Sequence, residues 1–156
     1  MHVSHVPDAT DRRILRALQS APTAAISEIA ERAGLSTTPC WRRLKRLEAG
    51  GVIAGRAVLL SARKLGFTAN VFAHIKLKLH DEVTLESFES TVCEHPEIIE
   101  CFSMSGESDY IMRILARSIE DYEVFLKKVL LHLPGVSSVN SSFAMKEVKV
   151  TTFVPV

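Results

Sequence analysis

The hydrophobic positions near the start of the chain recur at helical spacing. Ile14, Leu15 and Leu18 fall on one face of a predicted first helix. Thr10 is a residue type that favours helix N-caps, and Pro22 cannot continue a helix, so the two residues set its predicted limits. A single apolar face of this kind predicts an amphipathic helix that packs against other elements.

Two further helices are predicted before residue 50. Residues 26–33 carry apolar side chains at i, i+3, i+4 and i+7, and Gly34 follows where a left-handed cap is favoured. Ser36 or Thr37 caps a third helix that ends at Glu48 and has a proline in its first turn. Two helices joined through a glycine turn predict a helix-turn-helix.

From residue 67 onward the pattern alternates between strand and helix. A first strand over residues 67–80 alternates in polarity. Its predicted buried side carries Val71, Ala73, Ile75, Leu77 and Leu79, and its other side carries Phe72, His74, Lys76 and Lys78. A helix around 85–92, strands over 98–104 and 110–116, a helix over 119–133 and a strand over 136–145 follow. This βαββαβ order predicts a ferredoxin-like sheet with helices on one face.

The predicted fold class is therefore α+β, in three parts. Residues 1–51 form the helix-turn-helix domain, residues 52–65 a strand linker, and residues 66–156 the ferredoxin-like domain. Residues 52–60 read as a strand without a sheet of its own. Such a strand is expected to pair with its equivalent in a second chain, which predicts a dimer or a larger oligomer.

Composition excludes several classes of protein. With 47% hydrophobic and 24% charged residues the chain is able to bury a core, and it has no apolar run of the length that crosses a bilayer. No secretory signal is recognised at residues 1–11, so the expected location is the cytoplasm. Cys40, Cys93 and Cys101 lack CxxC spacing and are interpreted as reduced thiols, with Cys40 packed in the core.

Charge divides the chain near residue 65. Residues 1–65 contain 11 Lys and Arg against 5 Asp and Glu, whereas residues 66–156 contain 8 against 13. The first part is therefore the one that a polyanion would favour, because Lys and Arg that neutralise phosphates release condensed counterions.

The third helix concentrates this positive charge on one face. Placing residues at about 100° per position puts Cys40, Leu44 and Leu47 on the buried side. Arginine suits guanine in the major groove, and hydroxyls with helix N-terminal amides suit phosphates. The residues predicted to contact DNA are Ser36, Thr37, Thr38, Trp41, Arg42, Arg43, Lys45 and Arg46. The alternatives are a merely solvated basic face and, for Trp41, packing toward the first helix.

The loop between the two middle strands also suggests a ligand. Gly106 would let backbone amides face a carboxylate, and Asp109 or Glu107 would hold an ammonium group. The residue types of the loop therefore suit an amino acid as ligand. Residue types alone nevertheless favour a plain β-turn. The six histidines show no metal-ligand spacing within a predicted element, and only His74 or His80 suggests pH sensing.

Three separated motifs resemble one family. The sequence GLSTTPCWRRLKRLE at residues 34–48 resembles the recognition-helix signature of the Lrp/AsnC transcription regulators. SGESDY at 105–110 is similar to the SGxxDY effector loop of that family, and LPGV at 133–136 to its turn. The resemblance runs from about residue 11 to residue 149 and favours an effector loop over a plain turn.

The resemblance implies a winged helix-turn-helix domain and an amino-acid-binding domain that forms homodimers and then higher assemblies, with an octamer expected. Effectors in this family usually bind between dimers. The implied effector-binding residues are Ser103, Met104, Ser105, Gly106, Glu107, Ser108, Asp109, Tyr110, Ser141, Ser142, Phe143 and Ala144.

The expected function is amino-acid-responsive regulation of transcription on double-stranded DNA, without enzymatic activity, metal or other cofactor. Residues 37–48 and 141–156 resemble a branch that includes a cysteine-responsive activator, so cysteine is the first effector to test. Leucine and other small amino acids follow, although the Glu107–Ser108 pair differs from leucine-responsive members. The alternatives are an amino-acid-binding oligomer without DNA contact and a small metabolic enzyme.

Overall fold

A computed structural model of the chain describes residues 6–156, which form two compact units. One unit contains residues 6–59 together with residues 150–156, and the other contains residues 60–149. The boundary between the two units, at residues 59 and 60, lies inside the predicted linker of residues 52–65. Residues 150–156, predicted as part of the ferredoxin-like domain, group with the first unit. Each unit has its own hydrophobic core.

Three helices form the first unit: α1 (Ala9–Ser20), α2 (Ile26–Ala33) and α3 (Thr37–Ala49). Gly34 ends α2 in the left-handed conformation with φ 69°, which confirms the predicted turn between α2 and α3. The predicted apolar faces meet in a core whose buried members are Ile14, Ala17, Ile29, Ala30, Ala33, Cys40 and Leu44.

The predicted cap of α1 was wrong. Asp8, not Thr10, is the N-cap, and its Oδ1 accepts from Asp11 N at 2.8 Å while Asp8 N donates to Asp11 Oδ2 at 3.2 Å. This reciprocal capping box satisfies amides that a helix leaves free at its start. Thr10 lies inside the first turn, where its hydroxyl accepts from Arg13.

Asp11 also joins α1 to α3. Its side chain is fully buried, and it accepts from Arg43 Nη1 at 2.9 Å and from Arg46 Nη2 at 3.1 and 3.2 Å. Arg43 reaches Asp8 Oδ2 at 2.7 Å as well, and this bond lowers the pKa of the Asp8 carboxyl. Two arginines of α3 are therefore fixed on the start of α1.

Residues 52–61, predicted in part as a strand, are in no strand within the chain. Val58 and Leu59 are 85% and 73% exposed. Because a strand needs a partner, the predicted pairing of residues 52–60 with a second chain stays a prediction.

Residues 150–156 lie along α1. Gln19 Nε2 donates to the carbonyl of Val154 at 3.0 Å, and Val154 N donates back to Gln19 Oε1 at 2.7 Å. Arg16 Nε donates to the carbonyl of Val156 at 2.6 Å. The side chain of Gln19 thus pairs with the backbone as a neighbouring strand would.

The second unit has the predicted βαββαβ order. Its elements are β1 (Ala69–Leu77), α4 (Glu82–Cys93), β2 (Ile98–Ser103), β3 (Tyr110–Ala116), α5 (Ile119–Lys128) and β4 (Val136–Phe143), with short 3-10 helices at Arg63–Leu65 and Leu130–His132. The strands form one antiparallel sheet in the order β2-β3-β1-β4. This arrangement confirms the α+β, ferredoxin-like prediction.

The alternation predicted for β1 is confirmed up to Leu77. Beyond it, Leu79 is 62% exposed because the strand has ended, so its predicted burial was wrong. The predicted helix over 119–133 likewise ends at Lys128, and Leu130–His132 tightens into a 3-10 turn. The buried sides of β1 and β3 pack against Phe88 of α4 and Tyr122 of α5.

We expect Asp11→Asn to destabilise the helical unit by about 3 kcal/mol, because removing one partner of a buried ion pair leaves the others incompletely satisfied. Asp8→Asn is the matched control. Asp8 is half-exposed and asparagine caps helices equally well, so a clearly smaller loss of stability is expected than for Asp11→Asn. Trp41 is the one tryptophan of the chain, so its fluorescence during urea unfolding reports the stability of both variants. Equal losses would contradict the role assigned to Asp11.

A second prediction concerns Gly135, which has φ 72°. A Cβ added to Gly135 would clash with the methyl group of Thr84. Gly135→Ala should cost about 2–4 kcal/mol of unfolding free energy, from the left-handed backbone and from overpacking. In a Thr84→Ser background, which keeps the hydroxyl bonded to Asp81, we expect part of this loss to be recovered. Chemical unfolding followed by circular dichroism measures the stability of the wild type, the two single variants and the double variant. An identical loss from Gly135→Ala in both backgrounds would exclude the clash with Thr84.

Candidate functional site

The outward face of α3 is polar and basic. Cys40, Leu44 and Leu47 are buried, as predicted. Thr37, Thr38, Arg42, Lys45 and Arg46 are exposed. Ser36 is the N-cap but makes no side-chain cap bond, so hydroxyls and main-chain amides are grouped at the start of the helix. The helix therefore offers anion-binding groups at its N-terminus and cations along its outer face.

The basic residues of α3 divide into two groups. Arg43 and Arg46 are bound by Asp8 and Asp11, and about 29% of the Arg43 side chain is exposed. Lys45 pairs with Glu48 at 2.8 Å, which lowers the pKa of the Glu48 carboxyl.

Arg42 differs from these three residues. Within residues 6–156 it forms no salt bridge. Its guanidinium group is therefore available to a ligand without the loss of a bond inside the protein.

Trp41 lies on the flank of this face and is 53% exposed. Of the two roles left open from the sequence, packing toward the first helix and contact with a ligand, the exposure favours the second. A half-exposed indole is a large apolar surface that a partner would cover.

Asp109 anchors the predicted effector loop to β1. Its Oδ2 accepts from Leu77 N at 2.7 Å and its Oδ1 lies 2.8 Å from His80 Nε2. The bond from the Leu77 amide and then that from His80 lower the pKa of the Asp109 carboxyl. Asp109 N also donates to the carbonyl of Ile75 at 2.9 Å. Both carboxylate oxygens are thus occupied within the protein, and Glu107 is the acidic side chain of the loop that remains available to a ligand.

The remaining loop residues differ in accessibility. Ser103, Met104, Ser105, Gly106 and Glu107 are exposed and Ser108 is half-buried. Tyr110 is buried against Phe88, with ring centroids 4.6 Å apart, and its hydroxyl donates to Glu89 at 2.7 Å. Burial and the Glu89 carboxylate raise the pKa of Tyr110 to about 12. Tyr110 therefore supports the loop from within the core.

The four effector residues predicted around β4 point in different directions. Tyr122 of α5 hydrogen-bonds with Ser141 and packs edge-on against Phe143, so these two side chains lie on the helix side of the sheet. Ser142 lies on the opposite side, across from Phe72. Ala144 N donates to the carbonyl of Asn70 at 2.9 Å, which continues the pairing beyond the strand.

A polar cavity of about 430 Å³ brings part of the predicted site together. It is lined by His74, Lys76, Glu107, Ser108, Ser138, Asn140 and Ser142. The register explains this, since His74 lies opposite Asn140 and Lys76 opposite Ser138 on the face of the sheet away from the helices. Ser108 Oγ lies 3.3 Å from His74 Nδ1 and connects the loop to the sheet. Lysine and glutamate in one polar cavity match the two charges of an amino acid.

Four of these residues, His74, Lys76, Ser138 and Asn140, were not among the predicted effector contacts. The predicted alternation of β1 placed His74 and Lys76 on the side opposite its buried residues, and this was the sequence signal that could have identified them as cavity residues. The positions of Ser138 and Asn140 depend on the register of β4 against β1, which the sequence does not specify.

In the part of the chain that the structure describes, no three His, Cys, Asp or Glu side chains are grouped as a metal site would require. Cys40 is buried, and burial raises the pKa of its thiol; burial raises that of Cys101 to about 11. No helix within residues 6–156 has the length and apolar character to cross a membrane.

Two families match the chain. The Lrp/AsnC ligand binding domain matches residues 70–154, and the winged helix-turn-helix DNA-binding domain matches residues 7–54. The chain is 40% identical over 149 residues to the DNA-binding transcriptional activator DecR of Escherichia coli K12, covering 96% of this chain and 98% of DecR. It is 37% identical over 148 residues to the glutamate uptake regulatory protein of Zymomonas mobilis, covering 95% and 90%.

Solved structures of transcriptional regulators are similar to the chain in sequence and in fold. An AsnC family transcriptional regulator from Agrobacterium tumefaciens has 40% identity and a TM-score of 0.89, covering 95% of this chain and 96% of that one. A transcriptional regulator from Neisseria meningitidis in complex with L-methionine has 34% identity and a TM-score of 0.91, covering 96% and 97%. With both domains matched and relatives of this identity along nearly its whole length, the chain belongs to the Lrp/AsnC family and is a DNA-binding transcriptional regulator rather than an enzyme.

Proposed function

We propose that the exposed face of α3 enters the major groove of double-stranded DNA and that Arg42 reads a base there. Arg42 is exposed and free of salt bridges among the described residues, and a bidentate arginine pair with guanine is the commonest specific contact in the groove. Ser36, Thr37 and Thr38 bind phosphate with the free amides of the helix start. Lys45 adds charge without base specificity, and Trp41 lies against the sugar-phosphate backbone.

The roles of Arg43 and Arg46 follow from their bonds to Asp11. Both belong to the proposed DNA surface, but their guanidinium groups first hold α3 on α1. Arg46 is about half-exposed and keeps part of its guanidinium free for a phosphate. We assign Arg43 to positioning α3, since its two carboxylate partners occupy it.

We propose further that the polar cavity binds the effector. Lys76 would hold the carboxylate of an amino acid and Glu107 its ammonium group, while the serines and Asn140 would contact a small side chain. Cysteine is the first candidate, and leucine and methionine are the next; the Neisseria relative was solved with L-methionine. Ser103, Met104, Ser105 and Gly106 are exposed and would contact the effector together with a second copy of the chain, and Asp109 positions the loop.

The proposed assembly is a homodimer that associates further into an octamer in the cytoplasm, with effectors bound between dimers. The exposed apolar side chains of residues 58–60 and the unpaired segment around them support pairing between copies. Dimers place two copies of α3 on a two-fold DNA site, which multiplies the affinity and fixes the half-site spacing.

The DNA proposal is tested with a duplex that the wild-type protein selects from a random pool. Arg42→Ala should lower affinity for this duplex by about 10- to 100-fold and leave affinity for random DNA nearly unchanged. Lys45→Ala should weaken binding to the selected duplex and to random DNA about equally. It should also reduce the slope of log affinity against log salt concentration by about one. Fluorescence anisotropy at two salt concentrations measures this, with Lys127→Ala of the other unit as control. Equal losses on both duplexes for Arg42→Ala would exclude base reading by Arg42.

The effector proposal is tested by two lysines near the end of β1. Lys76 lines the polar cavity and Lys78, two residues later, does not. We expect Lys76→Gln to weaken amino-acid binding at least about tenfold, because a charge-assisted bond to the carboxylate is lost, and Lys78→Gln to bind as wild type does. Calorimetry with L-cysteine under reducing conditions, L-leucine and L-methionine measures this. Undiminished binding by Lys76→Gln would place the effector elsewhere.

A further inference from the structure

Two of the three cysteines lie at the edge of the sheet in the unit formed by residues 60–149. Cys93 is the last residue of α4 and is exposed, whereas Cys101 is in the edge strand β2 and is partly buried. Neither lines the polar cavity or belongs to the proposed DNA surface. Cys40, in the helical unit, is fully buried. Whether the first two thiols meet depends on how α4 lies on the sheet.

The contacts of Tyr110 fix the position of α4 on the sheet. The Tyr110 ring packs on Phe88, with centroids 4.6 Å apart, and its hydroxyl donates to Glu89 at 2.7 Å. Tyr110 is the first residue of β3 and pairs with Ser103, the last residue of β2. Glu89 of α4 therefore lies above the place where β2 ends and β3 begins.

The two cysteines are displaced from this contact in the same direction and by about the same distance. Cys93 follows Glu89 by one helical turn, so it lies on the same face of α4 about 6 Å along the axis. Cys101 precedes Ser103 on the same side of β2, about 6.6 Å along the strand. The turn at residues 94–97 reverses the chain, so the end of α4 lies beside the start of β2. Cys93 is therefore placed over Cys101.

The surroundings of Cys101 agree with this placement. Cys101 pairs with the buried Met112 of β3 and packs against the core beneath the helices. The pKa of its thiol is raised to about 11, first by burial and then by the negative charges of Cys93 and Glu89. Both of these groups act on Cys101 because they share the face of α4 that covers it. Cys101 is thus a protonated thiol at neutral pH, and the exposed Cys93 is the thiol that a dissolved reagent meets first.

We propose that Cys93 and Cys101 form an oxidation site, at which a hydroperoxide converts the two thiols into an intramolecular disulfide. The Cys93 thiol gives its proton to water, and its thiolate attacks one peroxide oxygen. The O–O bond breaks, the leaving oxygen takes a proton from solvent, and Cys93 becomes a sulfenic acid. The sulfur of Cys101 then attacks the Cys93 sulfur, and the displaced hydroxide leaves as water with the Cys101 proton. With hydrogen peroxide, two thiols are oxidised to one disulfide and the peroxide is reduced to two molecules of water.

The disulfide would tie α4 to the edge strand of the sheet. An edge strand is paired on one side only, so β2 opens more readily than the central strands do. A bond from Cys101 to Cys93 would hold β2 closed, and a thiol reductant would release it. The site is separate from the DNA surface and from the polar cavity, and it does not depend on the functions proposed for them.

The test uses the full-length protein, first fully reduced and then treated with hydrogen peroxide. The remaining thiols are alkylated after denaturation, and the number alkylated is read from the intact mass. The wild type should fall from three alkylated thiols to one, with a peptide that joins Cys93 to Cys101 and separates on reduction with dithiothreitol. Cys40→Ala is the matched control. It should form the same bond at a rate within about twofold of wild type, because a buried thiol takes no part in the reaction.

The two thiols of the pair are distinguished by their variants, whose folding is checked by circular dichroism. Cys93→Ser should lower oxidation of Cys101 at least about tenfold, because the accessible thiol is lost. Cys101→Ala should stop at the Cys93 sulfenic acid, which dimedone traps. The wild type alone also decides the matter. A dimedone adduct on wild-type Cys93 without the joined peptide would overturn the proposal, and so would a bond between Cys93 of two copies, whose rate rises with protein concentration.

Discussion

The carboxylate of Asp11 is buried between the start of α1 and two arginines of α3, and the orientation of the proposed DNA-binding face of α3 depends on it. A buried carboxylate is costly to desolvate, and it is tolerated here because two guanidinium groups and the Asp8 amide surround it. The pairing also orders long arginine side chains that would otherwise repel each other on one helix face. Arg42 is left as the cation of α3 that points outward without a bonded partner in the described chain.

The effector region is arranged by a comparable constraint on Asp109. Its carboxylate binds the Leu77 amide at the end of β1 and the ring of His80, so the loop is fixed to the sheet at one point. Because neighbouring strand residues face opposite sides, β1 buries Val71, Ala73 and Ile75 while presenting His74 and Lys76 to the cavity. The same strand thereby contributes both to the core and to the lining of the proposed effector cavity.

Periodicity and turn residues were sufficient to predict the element order, the sheet class and the buried face of α3. They failed where two local choices were equally good. Thr10 and Asp8 are both acceptable caps, and Asp8 is the one whose carboxylate also binds Arg43, 35 residues away in sequence. The cavity was predicted only in part for the same reason, because Ser138 and Asn140 enter it through strand register, whereas the resemblance to a family indicates a sequence segment without saying which side of the sheet each residue faces.

The segment 150–156 has a consequence for how the protein is made. It bonds to Gln19 and Arg16 of α1, so the helical unit is discontinuous in sequence and residues 60–149 are an insertion within it. During synthesis α1, α2 and α3 leave the ribosome first, but these bonds form only after the whole inserted unit has been translated. Until then Gln19 and Arg16 are open to solvent and to other chains, and the nascent helix-turn-helix is not yet the surface that the finished protein presents.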